Sequence, residues 1–298
     1  MAQPALTPLP SEPELRAFAH AAAQLLVDRA QRLPGARAVA RRAGVGIEHF
    51  DHRDYAPGDE VRHIDWRQTA RRLHPVVRRF ESETVADWTL LVDASSSMAL
   101  AGKWPAAAAL AAALAYALLQ LGHRVGLVVY GERRIAEVPA GRGRTHYAAV
   151  ARTLAGLRPA PRGVVGAPGA CARQLRGAVV LISDFLAADA AHRDLAALLE
   201  RCTALHLLQL GAAAETRLAA DAEAAGEVEL VDVETGARLA VRGGAAATAA
   251  ATQERAALAL RLRAWCARSG VAHSDWDLAR PWQAMLLAHL VRARSLRR

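Results

Sequence analysis

The stretch DASSSM, Asp93 to Met98, follows the apolar run WTLLV and sets oxygen-bearing side chains at positions 93, 95 and 97. Alternate residues at the carboxyl end of a strand can turn toward one point, which raises three chemistries: nucleophilic attack, helix capping and cation ligation. A hydrolase elbow needs G-x-S-x-G, and none of these serines has glycines at that spacing. An aspartyl-phosphate site wants a second aspartate two residues on, where Ser95 stands. A phosphate-cradling loop reads G-x-x-x-x-G-K-[ST], whereas the only lysine of the chain, Lys103, lies in AGKW. Capping of the next helix accounts for one residue and leaves the others unexplained. The spacing suits a hard cation: Mg²⁺ takes about six oxygens near octahedral angles and keeps waters among them. Mn²⁺ and Ca²⁺ are the other candidates.

A metal needs oxygens from more than one loop. Asp184 closes the apolar run VVLISD. In a sheet of order 3-2-1-4-5-6, the strands ending in Asp93 and Asp184 are neighbours at the topological switch point. Thr145, after GRGR, begins the next helix and is read as lying on the same edge, while also fitting as an N-cap. The candidate metal ligands are therefore Asp93, Ser95, Ser97, Thr145 and Asp184, and no catalytic residue is nominated.

These residues must be positioned by an alternation of strands and helices. After Val85 the chain reads as strand 88–93, an alanine-rich helix near 105–121, strand 124–131 and a short antiparallel return over ERRIAEVP. A helix from Thr145, strand 178–184, a helix and strand 204–210 follow. GEVELVDVETGARLAV reads as a hairpin near 227–242 turning at Glu234-Thr235-Gly236; a long helix 247–268, a last strand VAHSDW and a helix from Pro281 close the chain. Such alternation predicts an α/β fold, a doubly wound, mostly parallel sheet with helices on both faces. Residues 1–84 read as an N-terminal helix (11–31) plus a β-rich accessory region, and residues 85–298 as the α/β domain.

Composition narrows the function. The 298 residues carry a net charge of +9, almost all of the cations being arginine. No zinc-finger or RNP signature accompanies them, so nucleic-acid binding ranks third. Three cysteines without a C-x-x-C pair suggest free thiols, and His49, His52, His63 and His74 match no zinc spacing. Glu12 and Glu14 stand where a signal peptide needs apolar residues, and the alanine-rich 105–121 is a buried helix rather than a membrane span. A cytoplasmic protein is expected.

The five candidate ligands together resemble the metal-ion-dependent adhesion site of the von Willebrand factor A fold. GVGIEHFDHRDYAPGDEVRHIDWRQTAR, just before the DxSxSM strand, and the later GEVELVDVETG resemble the bacterial family catalogued as domain of unknown function 58, from about Gly44 onward. The resemblance implies that Ser95 and Ser97 ligate through neutral hydroxyls, that Asp93 and Asp184 act directly or through water, and that Thr145 completes the set in one conformation. It also implies a non-enzymatic protein-binding adaptor, working with a MoxR-type AAA+ ATPase on client proteins that offer a carboxylate to the metal. Two departures stand out: no transmembrane helix precedes the signature, and Gly211-Ala212 replaces the family's Asp-Pro. Within the signature, Tyr55, Ile64 and Trp66 read as a small core, Pro57-Gly58 as a turn, and Asp59, Arg62 and Asp65 as ion pairs. The alternative from another class is a magnesium-dependent phosphohydrolase using Asp93 and Asp184.

Overall fold

The computed structural model describes residues 7–32, 48–56, 64–72, 74–81, 86–159, 168–171, 175, 177–186, 188–211, 227–234, 236–242 and 245–295. Helix α1 (Glu12–Arg32) starts at Ser11, whose backbone N–H and hydroxyl both donate to the Glu14 carboxylate, at 2.8 and 2.6 Å. A residue three places into the helix reaching back to the capping position is half of a capping box. Leu15, Phe18, Ala19 and Ala22 are buried at helical spacing, and the Phe18 ring meets Trp282 edge-on at 5.4 Å. Packing divides the chain into Met1–Leu26 with Ala86–Arg298, and Val27–Val85. The division after Val85 falls one residue from the expected one, whereas the N-terminal helix, expected with residues 1–84, lies mostly in the large unit, where its apolar stripe is buried.

In the smaller unit, β1 (Glu48–Asp54) pairs antiparallel with β2 (Val76–Glu81), with a register shift between His49 and Asp51. Between them lies α2 (Trp66–Arg72). Asp65 caps it by accepting the N–H groups of Arg67 and Gln68 at 3.0 and 3.1 Å, and Thr69 Oγ1 accepts the Val76 N–H at 3.0 Å. Trp66 does not join a core as expected: as the first residue of α2 it is 65% exposed. His74 faces Asp54 at 2.8 Å on an exposed edge. The Pro57-Gly58 turn, Asp59, Arg62 and His63 lie outside the described residues.

The large unit continues with β3 (Asp87–Asp93), a 3₁₀ turn Ser96–Ala99, α3 (Lys103–Gln120), β4 (Arg124–Tyr130), β5 (Arg134–Gly141) and α4 (Gly143–Gly156). Then come the single turn α5 (Pro168–Cys171), β6 (Ala178–Ser183), α6 (Ala188–Arg201), β7 (Ala204–Gly211), β8 (Glu227–Val231) and β9 (Arg238–Arg242). Last are α7 (Ala245–Ser269), β10 (Ala272–Asp277) and α8 (Trp282–Ser295). Six strands form one sheet in the order β10-β7-β6-β3-β4-β5, parallel except for β5, which returns antiparallel to β4. Counted within the sheet in chain order, this is 3-2-1-4-5-6. The crossover from β4 and β5 back to β6 puts β3 and β6 side by side, with Val92 paired to Ile182.

Continuous apolar runs form these strands because both faces are covered. Leu90, Val92, Leu127, Val129, Val180 and Ile182 share a core with α1, α3, α4 and α8, while Leu91, Val128, Val179 and Leu181 share the other with α6 and α7. The alanines of α3, buried at 107, 108, 111, 112 and 113, let its backbone approach the sheet closely. Pro105 falls in its first turn, where a missing N–H breaks no helical hydrogen bond. Among the described residues no helix is long and apolar enough to cross a membrane. The hairpin forms between β8 and β9, closed by Asp232 N–H to Ala237 O at 2.8 Å.

Candidate functional site

Asp93 is the last residue of β3, and the ladder continues one step past it, with Ala94 N–H bonded to Tyr130 O at 2.7 Å. The Asp93 carboxylate is engaged on both oxygens: Oδ1 accepts the Ser95 N–H at 2.8 Å and Oδ2 accepts the Ser183 hydroxyl at 2.6 Å. Ser183 Oγ in turn accepts the Phe185 N–H at 3.0 Å, which ties the loop after β6 to the loop after β3. Ser95 starts the 3₁₀ turn, yet its side chain makes no capping bond; its Oγ lies 3.1 Å from Ser97 Oγ. The residue before α3 is Gly102, so none of the three serines caps that helix either. The capping explanation for DASSSM therefore fails on geometry.

Asp184 follows β6. Its Oδ2 accepts a hydrogen bond from the Lys103 ammonium at 2.7 Å, and its Oδ1 accepts the Leu186 N–H at 3.3 Å. Asp93, Ser95, Ser97, Lys103, Ser183 and Asp184 are all buried. Burial, and then the nearby Asp184 charge, push the Asp93 carboxyl up to about 6 against the opposing hydrogen bonds from Ser183 and Ser95. Gln209 at the end of β7 extends the polar layer, donating to Asp184 O at 3.4 Å while its Oε1 lies 3.1 Å from His273 Nε2.

The structure brings Asp93, Ser95, Ser97 and Asp184 to neighbouring strand ends and sets Thr145 elsewhere. Because β5 runs antiparallel, it delivers the chain to the amino ends of the parallel strands before α4 begins. His146, next to Thr145, bonds Val125 O at 2.6 Å, whereas Asp93 lies level with Tyr130. Five residues of strand separate those levels, roughly 17 Å. Thr145 is exposed in the first turn of α4 and is corrected from candidate ligand to a surface residue at the opposite edge.

Two members of the site escaped the sequence reading. Ser183 precedes Asp184 in VVLISD, and Lys103 is the lone lysine of an arginine-rich chain. The donor set fits a hard cation in chemistry: two carboxylates and two neighbouring hydroxyls, all oxygen, at adjacent strand ends. Among the described residues there is no group of three or more His, Cys, Asp or Glu that could hold a metal, so the serine hydroxyls would have to complete the set.

Three exposed apolar side chains come from the segments around this strand edge, with the exposed charged residues Glu132, Arg133 and Arg134 beside one of them. Leu100 (41% exposed) follows the serine loop, Leu186 (37%) follows Asp184, and Ile135 (42%) is the second residue of β5. A side chain on Gly131 would meet Ile135 Cδ1 at 3.3 Å and Ala94 O at 3.7 Å, so the glycine keeps the turn into β5 close to the serine loop.

The sequence model of the family described as "Protein of unknown function DUF58" matches residues 51–259. Uncharacterised proteins of Mycobacterium bovis and Mycobacterium tuberculosis are 37% identical over 153 residues, covering 48% of this chain and 48% of each relative. The chain spans about half the length of these curated relatives. The crystal structure of a conserved hypothetical protein BatB from Bacteroides thetaiotaomicron aligns with a TM-score of 0.40 at 14% identity, over 70% of this chain and 99% of that one.

Proposed function

The chain belongs to the DUF58 family, and from that premise we propose that it is a non-enzymatic, cation-dependent protein-binding adaptor of von Willebrand factor A type. The observation that carries this reading is the buried oxygen cluster of Asp93, Ser95, Ser97 and Asp184 at the switch point of the sheet, rimmed by Leu100, Ile135 and Leu186. The 3-2-1-4-5-6 strand order supports the fold assignment, and the DxSxS loop at its centre supports an adhesion-type metal site.

Asp93, Ser95, Ser97 and Asp184 would hold Mg²⁺, with Mn²⁺ or Ca²⁺ as substitutes. When bound, the ion would supply a Lewis-acid centre with a coordination position open to one further oxygen ligand. The chain's own residues then set what approaches. Neutral Ser95 and Ser97 hydroxyls add no negative charge, so the cation-bound site is not net negative and leaves the open position free for a partner carboxylate. The exposed leucines and Ile135 favour an acidic residue flanked by apolar side chains over a small, fully solvated acid. We assign a MoxR-type AAA+ ATPase and its client proteins as the partners. The test is affinity capture on wild type and Asp93→Ala, each with Mg²⁺ and with EDTA. The reading requires the ATPase or a defined client to be retained by wild type with Mg²⁺ alone; retention in all four conditions, or in none, contradicts it.

A further inference from the structure

The Lys103 ammonium already neutralises one carboxylate of the candidate cation site. It is fully buried, lies 2.7 Å from Asp184 Oδ2, and the Asp184 charge in turn reaches Asp93. Counting formal charges, two carboxylates and one ammonium leave the cluster at −1. A divalent ion without the ammonium brings it to 0, and both together would leave +1 buried. Burying uncompensated charge is expensive, so in the absence of a partner carboxylate exchange is favoured over coexistence.

The backbone on both sides of this ion pair is held in unusual conformations. Among the described residues, the non-glycine residues with positive φ are Ala101 (53°) and Phe185 (54°). Ala101 lies two residues before Lys103, followed by Gly102 at 76°, and Phe185 lies directly after Asp184. Left-handed backbone at a side chain as bulky as phenylalanine is an outlier, and such strain persists where the surroundings enforce it. Here the enforcing contacts are Lys103 to Asp184, Lys103 N–H to Leu100 O at 3.1 Å, and Phe185 N–H to Ser183 Oγ at 3.0 Å.

We propose that Lys103 is a resident counter-ion which must leave Asp184 for a divalent cation to be held, so that cation occupancy moves the segment Leu100–Lys103 at the head of α3. This rests on the metal-site reading above and adds its regulation. Withdrawal of Lys103 relaxes the Ala101-Gly102 turn and shifts Leu100, one of the exposed apolar residues of the rim. The apolar surface offered to a partner therefore changes with cation occupancy, and the resident ammonium keeps cation affinity lower than the oxygen set alone would give.

Lys103 is the only lysine in the chain, which gives a direct readout on the unaltered protein. Labelling by an amine-reactive reagent, followed at Lys103 by peptide mass spectrometry, is expected to rise at least about fivefold when saturating Mn²⁺ replaces EDTA, since a buried amine reacts only through opening. In parallel, Mn²⁺ titration followed by electron paramagnetic resonance compares wild type, Lys103→Met and Asp93→Ala. Lys103→Met, checked for folding by circular dichroism, is expected to bind at least about tenfold more tightly than wild type, because a repelling unit charge is removed; Asp93→Ala is expected to lose binding. Mn²⁺ binding to wild type with unchanged Lys103 labelling, or with equal or weaker binding by Lys103→Met, overturns the inference and leaves the metal site standing. Absence of Mn²⁺ binding in wild type and Lys103→Met alike overturns the metal-site reading and the inference with it.

Discussion

The Lys103 ammonium lies 2.7 Å from the Asp184 carboxylate, with side-chain exposures of 0% and 2%. Two ions placed this deep lose their hydration, and mutual attraction offsets the loss only while both are present. Asp184→Asn keeps the shape and removes the charge. It is expected to destabilise the protein by about 3–5 kcal/mol in the absence of divalent cations, read from the urea midpoint with an unchanged slope.

Asp93 differs from Asp184 in being held by neutral donors, the Ser183 hydroxyl and the Ser95 N–H. Asp93→Ala leaves both donors buried without this acceptor. The expected cost is about 1–3 kcal/mol, smaller than for Asp184→Asn, together with loss of Mn²⁺ binding. Thr145→Ala, at the opposite edge, is expected to leave Mn²⁺ affinity unchanged; a tenfold loss there would return Thr145 to the site.

Ala101 sits exposed at φ 53°, a conformation that glycine adopts without the Cβ penalty. Ala101→Gly is expected to stabilise by about 0.5–1 kcal/mol, less whatever the more flexible unfolded chain takes back. Differential scanning calorimetry should show a midpoint raised by about 1–3 °C.

A second buried polar network joins β7, β10 and α8. His206 Nδ1 lies 3.1 Å from His289 Nε2, and His289 Nδ1 lies 2.8 Å from Ser274 Oγ. Burial first, then the neighbouring His206, His273 and Arg292, lower His289 to about 3; burial lowers His273 to about 4, partly opposed by Asp275. Folded pKa values below the unfolded value near 6.5 mean that the unfolded chain binds more protons in acid. Their contribution is fully present above about pH 6.5 and is lost as pH falls through about 4 and then 3. Unfolding free energy is expected to fall from pH 7 to pH 4, by an order of a few kcal/mol from these two groups. His289→Gln should flatten that slope.

The rim predicts a separation of functions. Leu100→Ser combined with Leu186→Ser removes exposed apolar side chains without touching an oxygen ligand. Partner affinity is expected to drop by about 1–3 kcal/mol while Mn²⁺ affinity is retained, measured by calorimetry with each ligand.

The pairing of Asp93 with the loop of Asp184 was legible because WTLLVD and VVLISD are uninterrupted apolar runs, the mark of strands covered on both faces, and each ends in its aspartate. The hairpin at β8 and β9 was legible from its turn residues. Thr145 was misplaced although the clue was present: ERRIAEVP read as an antiparallel return, and such a strand carries the chain to the far edge before the next helix begins. Lys103 was weighed only as a phosphate-loop lysine, since a lysine's burial leaves no periodic trace in sequence. Trp66 looked like core by size, yet α2 begins on it and turns it outward. The N-terminal helix was grouped with residues 1–84 because an apolar face in sequence does not say which unit covers it; Leu15, Phe18, Ala19 and Ala22 are buried in the large one.

The most direct test of the account is the affinity of the purified chain for a purified MoxR-type ATPase from the same cell, measured by calorimetry with Mg²⁺ and with EDTA, for wild type and Asp93→Ala. The account predicts binding by wild type in Mg²⁺ that weakens at least about tenfold in EDTA and equally in Asp93→Ala. Equal affinity across all four conditions would contradict it.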